Sequence, residues 1–127
     1  MKRERFSITQ RLRSFKYAFK GLITMFSGEY NARIHLLAAA IVIAGGIVFS
    51  VSLFSWVLLV LAIGLVFIAE LINTSLEHLA DVVSPEKNEK IKKAKDLAAA
   101  AVLVSVIMAV VIGLVVFLPL LLEFFAE

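Results

Sequence analysis

Three long apolar blocks, separated by charged stretches, dominate the pattern of this chain. Upstream of them Ile8, Leu12, Phe15, Phe19, Leu22 and Phe26 recur at steps of four and three, which is one face of a helix. The opposite face carries Arg11, Arg13, Lys16 and Lys20. The spacing predicts a basic amphipathic helix over 7–27, lying in a membrane interface with its apolar face down. Ser7 or Thr9 supplies a cap, and Gly28 interrupts the helix. The apolar blocks predict transmembrane helices over 34–50, 55–83 and 97–118. In the first, Ala38, Ala39, Ala40, Gly45 and Gly46 favour close helix packing in lipid. Residues 50–55 read as a tight outer turn, with Trp56 at the interface. Ser84-Pro85 ends the second helix or opens the next. A charged stretch, 86–95, precedes the third span, and Pro119 falls near its outer end.

The second span differs from the others. Nothing from Phe54 to Ser84 breaks a helix except a tolerated Gly64. A helix of roughly 28 residues is about 42 Å long, more than the ~30 Å hydrocarbon core. Its last turns should project into the headgroup zone. They carry Glu70, Asn73, Thr74 and Glu77, at i, i+3, i+4 and i+7, with Asp81 one turn on. These side chains share one face. A carboxylate near lipid is expensive to hold, and such a stripe faces a cation, a substrate or a polar cavity.

Composition agrees with a membrane protein. The 127 residues fit one domain, 61% of them hydrophobic, and the mean hydropathy is +0.98. There is no cysteine, which excludes disulfides and thiol chemistry. His35 and His78 are far apart, so the usual zinc constellations are excluded too, whereas a hard cation held by carboxylates is not. The net charge of +3 matters less than its distribution. Every basic residue lies either before the first span, including a basic tail over 1–5, or between the second and third. The positive-inside rule therefore predicts a cytoplasmic N-terminus and an outer C-terminus. Because the basic clusters flank spans, they read as membrane-orienting charge and not as nucleic-acid patches. No cleavable signal peptide is expected, since the first strongly apolar block starts near His35.

These residues suit phosphoryl transfer, which is mostly positioning and charge neutralisation. Glu29 and Glu77 are candidates for a shared Mg²⁺ if the first span brings them together. Glu70 lies deeper, where a carboxylate short of water becomes a usable general base, and Asn73 is placed to orient it. Lys95 suits phosphate oxygens, and Asp96 a ribose hydroxyl or a second lysine. Tyr17 sits among cations and suits stacking on a planar ring, with a belt tyrosine as the plainer reading. Arg33 and His35 read as snorkelling side chains at the start of the first span. The chain has no Walker A sequence and no kinase glycine loop. Spacing alone leaves a membrane kinase, a cation-coupled transporter using Glu70, and a scaffold with solvated carboxylates all open.

Glu70-Leu-Ile-Asn-Thr-Ser-Leu-Glu77, then Asp81, then Lys95-Asp96 with an alanine-rich run, resembles the prokaryotic diacylglycerol kinase family of small three-span lipid kinases, which includes the undecaprenol kinases. Phe15-Lys-Tyr-Ala-Phe-Lys-Gly-Leu22 looks like its surface-helix motif, and Glu29-Tyr-Asn-Ala-Arg-Ile-His35 like the start of its first span. The resemblance runs from about Ile8 to Phe117 without gaps. It implies an all-α membrane protein, with a surface helix and three spans, assembled as a homotrimer with shared active sites in the bacterial inner membrane. It implies ATP-dependent phosphorylation of a lipid alcohol, diacylglycerol first and undecaprenol as the alternative. It also implies roles: Glu70 as base, Asn73 beside it, and Glu29 and Glu77 on Mg²⁺. Tyr17, Glu86, Lys87, Asn88, Lys95 and Asp96 fall at the nucleotide site. Ser75-Leu76, His78, Ile34 and His35 depart from the family's common residues, and the last two look more like the broader branch that holds the undecaprenol kinases.

Overall fold

The computed structural model describes residues 6–127, so the basic tail over 1–5 lies outside the described residues. Those described form four α-helices and no strand: α1 (Ile8–Gly28), α2 (Tyr30–Val48), α3 (Leu53–Val83) and α4 (Glu89–Ala126). The last three are long and apolar enough to cross a membrane. At ~1.5 Å per residue they measure about 28, 46 and 57 Å. The first just matches the ~30 Å core, and the other two overrun it.

Helix α1 opens with the Ser7 hydroxyl accepting from the Gln10 amide, a weak cap at 3.5 Å. Its apolar stripe is unevenly used. Ile8, Leu12, Phe15 and Phe19 are exposed, while Leu22 and Phe26 are half-covered and Met25 is buried. Helix α1 ends at Gly28, where the sequence reading put the interruption. The break comes at Glu29, whose backbone is extended, and α2 starts one residue later. The physical reason lies in Arg33. Its guanidinium folds back and donates to the Phe26 and Ser27 carbonyls, two of the acceptors that α1 leaves unpaired at its end. The same guanidinium lies 5.3 Å from the Tyr30 ring centre. Arg33 is thus the clamp of the α1–α2 corner rather than a snorkelling cation. The Phe26 ring meets Phe67 of α3 edge-on at 5.6 Å and so seats this corner against α3.

Helix α2 faces α3 through a stripe of small residues. Ala32, Ala39 and Gly46 are buried, with His35 and Val42 between them. The Gly46 position is the tightest. A Cβ there would stand 2.6 Å from the Trp56 ring, so the indole lies directly on the glycine. Trp56 is therefore partly a packing residue as well as an aromatic at a span end. Gly45 similarly admits Phe117 of α4, and Phe49 meets the Phe117 and Phe124 rings edge-on. The turn closes by a Schellman pattern: Val51 N–H donates to Gly46 O and Ser50 N–H to Ile47 O, with Ser50 at φ 48°. Helix α3 starts at Leu53, capped by Ser52, slightly ahead of the expected start.

Helices α3 and α4 make the most extensive pairing. Pro85 marks the stop between them: α3 ends at Val83, and Ser84 ahead of the proline has left helical geometry at φ −142°, ψ 82°. The charged stretch is mostly helix, because Asn88 Oδ1 accepts from the Lys90 and Ile91 amides and starts α4 at Glu89. At the far end Pro119 lies inside α4, which continues to Ala126 instead of stopping at 118. Unpaired backbone is costly in an apolar medium, so a helix with one missing bond is better than an open end.

Packing at Gly46 gives a test. Gly→Ala in an open helix site gains about 0.5–1 kcal/mol, but overpacking a rigid ring costs about 1–3 kcal/mol. Gly46→Ala should therefore lower the thermal midpoint in detergent, whereas Gly21→Ala, with open space around it, should hold or raise it. Trp56→Leu should reduce the penalty at Gly46.

Candidate functional site

The buried stripe of α3 runs Leu59, Ala62, Val66, Glu70, Thr74 and Ala80. Glu70 occupies a place in that stripe where an apolar side chain would be expected, and it is only 2% exposed. Its carboxylate points at α2, where His35 Nε2 lies 3.1 Å from Oε1. His35 therefore faces inward, not outward to the headgroups. It occupies the α2 stripe between Ala32 and Ala39, whose small size leaves room for the ring. The sequence reading missed this partner. The signal was present in the register Ala32, His35, Ala39, Val42, Gly46, a heptad-like spacing that puts all five on one face.

One turn further, Asn73 Nδ2 donates to Glu77 Oε1 at 3.5 Å, a long hydrogen bond. Asn73 orients Glu77, then, rather than Glu70. Asn73 Oδ1 and Thr74 Oγ1 are buried and have no hydrogen-bond partner within the chain. Buried polar atoms are nearly always paired, so two orphans on adjacent residues beside two carboxylates are a concentration of unmet hydrogen-bonding capacity on this face of α3. Asn73 and Glu77 are half-buried, which leaves them reachable from the end of the helix pair that carries the α3–α4 connection.

Beyond these, α3 and α4 are joined by Lys95 Nζ, 3.4 Å from Asp81 Oδ1. Asp96 pairs with Lys92 at 3.2 Å along α4, the second lysine that was one of its two expected partners. Both pairs are largely solvated, so each is worth at most about 1 kcal/mol and exchanges readily for another charge. Glu86 and Lys87 are exposed in the α3–α4 connection. Asn88 is beside them, but its carboxamide oxygen is committed to capping α4. Tyr17 is exposed on α1, remote in sequence from the rest.

Glu29 is half-buried at the α1–α2 corner and makes no capping hydrogen bond to α2 with its side chain. Among the described residues no three His, Asp or Glu side chains converge as a ready metal cage. Two carboxylates suit a hard cation that completes its shell with water and phosphate oxygens, the habit of Mg²⁺. Glu29 and Glu77 fit that donor set by type, and the orphaned Asn73 and Thr74 oxygens add neutral acceptors beside Glu77. An apolar cavity of about 210 Å³ runs between α2, α3 and α4 from His35 and Phe67 toward Gly113. Its walls include Ala38, Val42, Val66 and Val106.

Comparison with known proteins gives a consistent picture. The family model for prokaryotic diacylglycerol kinase matches residues 16–117, starting later than the resemblance noted above. The chain is 36% identical over 107 residues to an undecaprenol kinase of Bacillus subtilis, covering 84% of this chain and 87% of that protein. It is 39% identical over 111 residues to a diacylglycerol kinase of Synechocystis sp., covering 87% of this chain and 63% of that one. With a diacylglycerol kinase of Escherichia coli it shares 30% over 103 residues, 81% of this chain and 84% of the other.

The orphaned hydroxyl at Thr74 has a measurable consequence. Thr74→Val keeps the shape and removes a buried group that no protein atom satisfies. The substitution should leave the thermal midpoint unchanged or raise stability by about 1 kcal/mol. A fall of more than that amount in a thermal melt would mean that the hydroxyl is paired in the assembled protein.

Proposed function

The chain belongs to the prokaryotic diacylglycerol kinase family, and from that premise we propose that it transfers the γ-phosphoryl group of ATP to diacylglycerol, giving phosphatidic acid. The family makes it a multi-pass membrane protein and a lipid kinase with ATP as co-substrate. The single observation that carries the assignment of the site is Glu70, an acid buried in the α3 stripe with one polar partner and two orphaned polar atoms a turn away.

In this reading Glu70 accepts the proton of the lipid hydroxyl as that oxygen bonds to the γ-phosphorus and the bond to ADP breaks. Glu77, oriented by Asn73, and Glu29 would hold Mg²⁺, which supplies neutralisation of phosphate charge when bound. Lys95 exchanges its solvated Asp81 partner for phosphate oxygens. Asp96, Glu86, Lys87 and Asn88 border the nucleotide, with the Asn88 oxygen kept for the helix cap, and Tyr17 stacks on the base. Residues 1–127 act as one integral-membrane domain. Helix α1 lies on the cytoplasmic surface, so that its exposed Ile8, Leu12, Phe15 and Phe19 enter the interface. The N-terminus is cytoplasmic, by the placing of the basic residues, and the membrane is the bacterial inner membrane. Three copies share their sites, which lets the exposed Tyr17 of one chain serve a nucleotide held by another.

A second reading is undecaprenol as the acceptor. It is favoured by His35 and Ile34 and by the similarity to an undecaprenol kinase. Both acceptors present a primary alcohol at the membrane edge, so the reaction class is the same.

Offered both lipids in mixed micelles with labelled ATP and Mg²⁺, the protein should label diacylglycerol faster; faster labelling of undecaprenol would move the assignment to the second reading. Glu70→Gln should lower kcat about 10²–10⁴-fold, the usual contribution of a general base, with little change in the KM for ATP. Wild-type turnover in that variant would remove Glu70 from the role. Glu77→Ala should raise the Mg²⁺ concentration needed for half-maximal rate, and an unchanged Mg²⁺ response would exclude it as a ligand.

A further inference from the structure

We propose that His35 is the positioning residue for the base: its Nε2–H holds Glu70 Oε1, which fixes the carboxylate and turns Oε2 to the lipid hydroxyl. The inference rests on Glu70 being the base. At 3.1 Å the two heavy atoms need one proton between them. With Glu70 ionised, as a base must be, that proton sits on Nε2 and the imidazole donates. The opposite tautomer would turn a lone pair toward the carboxylate.

Three features suit the ring to this task. Glu70 is buried in an apolar stripe, so its orientation depends on whatever donor reaches it. His35 is itself mostly covered, its side chain 20% exposed, with the small Ala32 and Ala39 on either side along α2. The ring is also the one polar side chain on the wall of the 210 Å³ apolar cavity. It stands between that hydrocarbon-lined space and the carboxylate, where it keeps Glu70 from swinging toward a face that offers no partner. His35 touches the base and not the reacting atoms, so its effect should appear in turnover and not in nucleotide binding.

The geometry of imidazole gives the discriminating experiment. The carboxamide nitrogen of glutamine reaches the position of Nε2, whereas that of asparagine reaches only the position of Nδ1. His35→Gln should keep kcat within about threefold of wild type. His35→Asn and His35→Leu should each lose about 10–100-fold, the range for a hydrogen bond to a charged group. The KM for ATP should stay the same in all three. In a Glu70→Gln background His35→Asn should add no further loss, because the group it positions is gone.

Equal activity of the Gln and Asn variants would overturn the proposal, as would an undiminished loss from His35→Asn in the Glu70→Gln background. A loss that follows the fraction of folded protein, read by thermal melt and gel filtration in detergent, would reduce His35 to a packing residue and overturn it too. The single Glu70→Gln variant separates the two levels. If it is inactive and the His35 series is flat, only the positioning role falls; if it is fully active, the base falls and the positioning role with it.

Discussion

An ionisable carboxylate has been set into the packed face between two apolar helices, and the surrounding structure has to make that tolerable. Burying an unpaired carboxylate costs several kcal/mol even after relaxation. One hydrogen bond from His35 returns about 1.5–3 kcal/mol of it. The remainder rests on packing elsewhere, chiefly along α3 and α4, the most extensive helix pairing in the chain. Close approach of α2 is a condition of the same arrangement. With Ala32, Ala39 and Gly46 on its inner stripe, α2 comes near enough for a side chain as short as histidine to reach across to α3. Larger residues at those positions would separate the helices and strand Glu70 without a donor.

The corner before α2 serves the same end. Arg33 ties the last carbonyls of α1 to the start of α2, and Phe26 on Phe67 holds the corner against α3. The register of α2 along α3 is thereby fixed near one end by this clamp and near the other by Trp56 over Gly46. His35 lies close to the clamped end, where a slip of a single residue would rotate it about 100° away from Glu70.

Much of this was legible in the sequence, and the remainder was hidden for definite reasons. The three apolar helices and the acidic stripe of α3 could be read because nothing between Phe54 and Ser84 competes with helix. Helix ends were less legible. Pro119 reads as a terminator by the rules for water, and those rules weaken in an apolar medium, where an open helix end exposes more unpaired backbone than a proline does. Gly28 reads as a break and α1 ends there, but the corner is held by Arg33 reaching back from the next helix, a tertiary contact. His35 was hardest, since a histidine near the start of a span reads equally well as a headgroup contact. Its inward aim follows only once α3 is known to lie on the face that carries Ala32, Ala39 and Gly46.

On the proposed assignment of Glu70 and Glu77, depth along α3 is what lets one helix serve a substrate in lipid and another in water. Glu70 and Glu77 are seven residues, or about 10 Å, apart along the axis. The first is closed in by α2 and beside an apolar cavity; the second is half-open, with the solvated Asp81–Lys95 pair a turn beyond it. Phosphoryl transfer asks for little covalent chemistry and for much positional control. A single unbroken helix supplies that control because its rise sets the separation of the groups it carries. The orphaned oxygens of Asn73 and Thr74 fall between the two acids along the same helix.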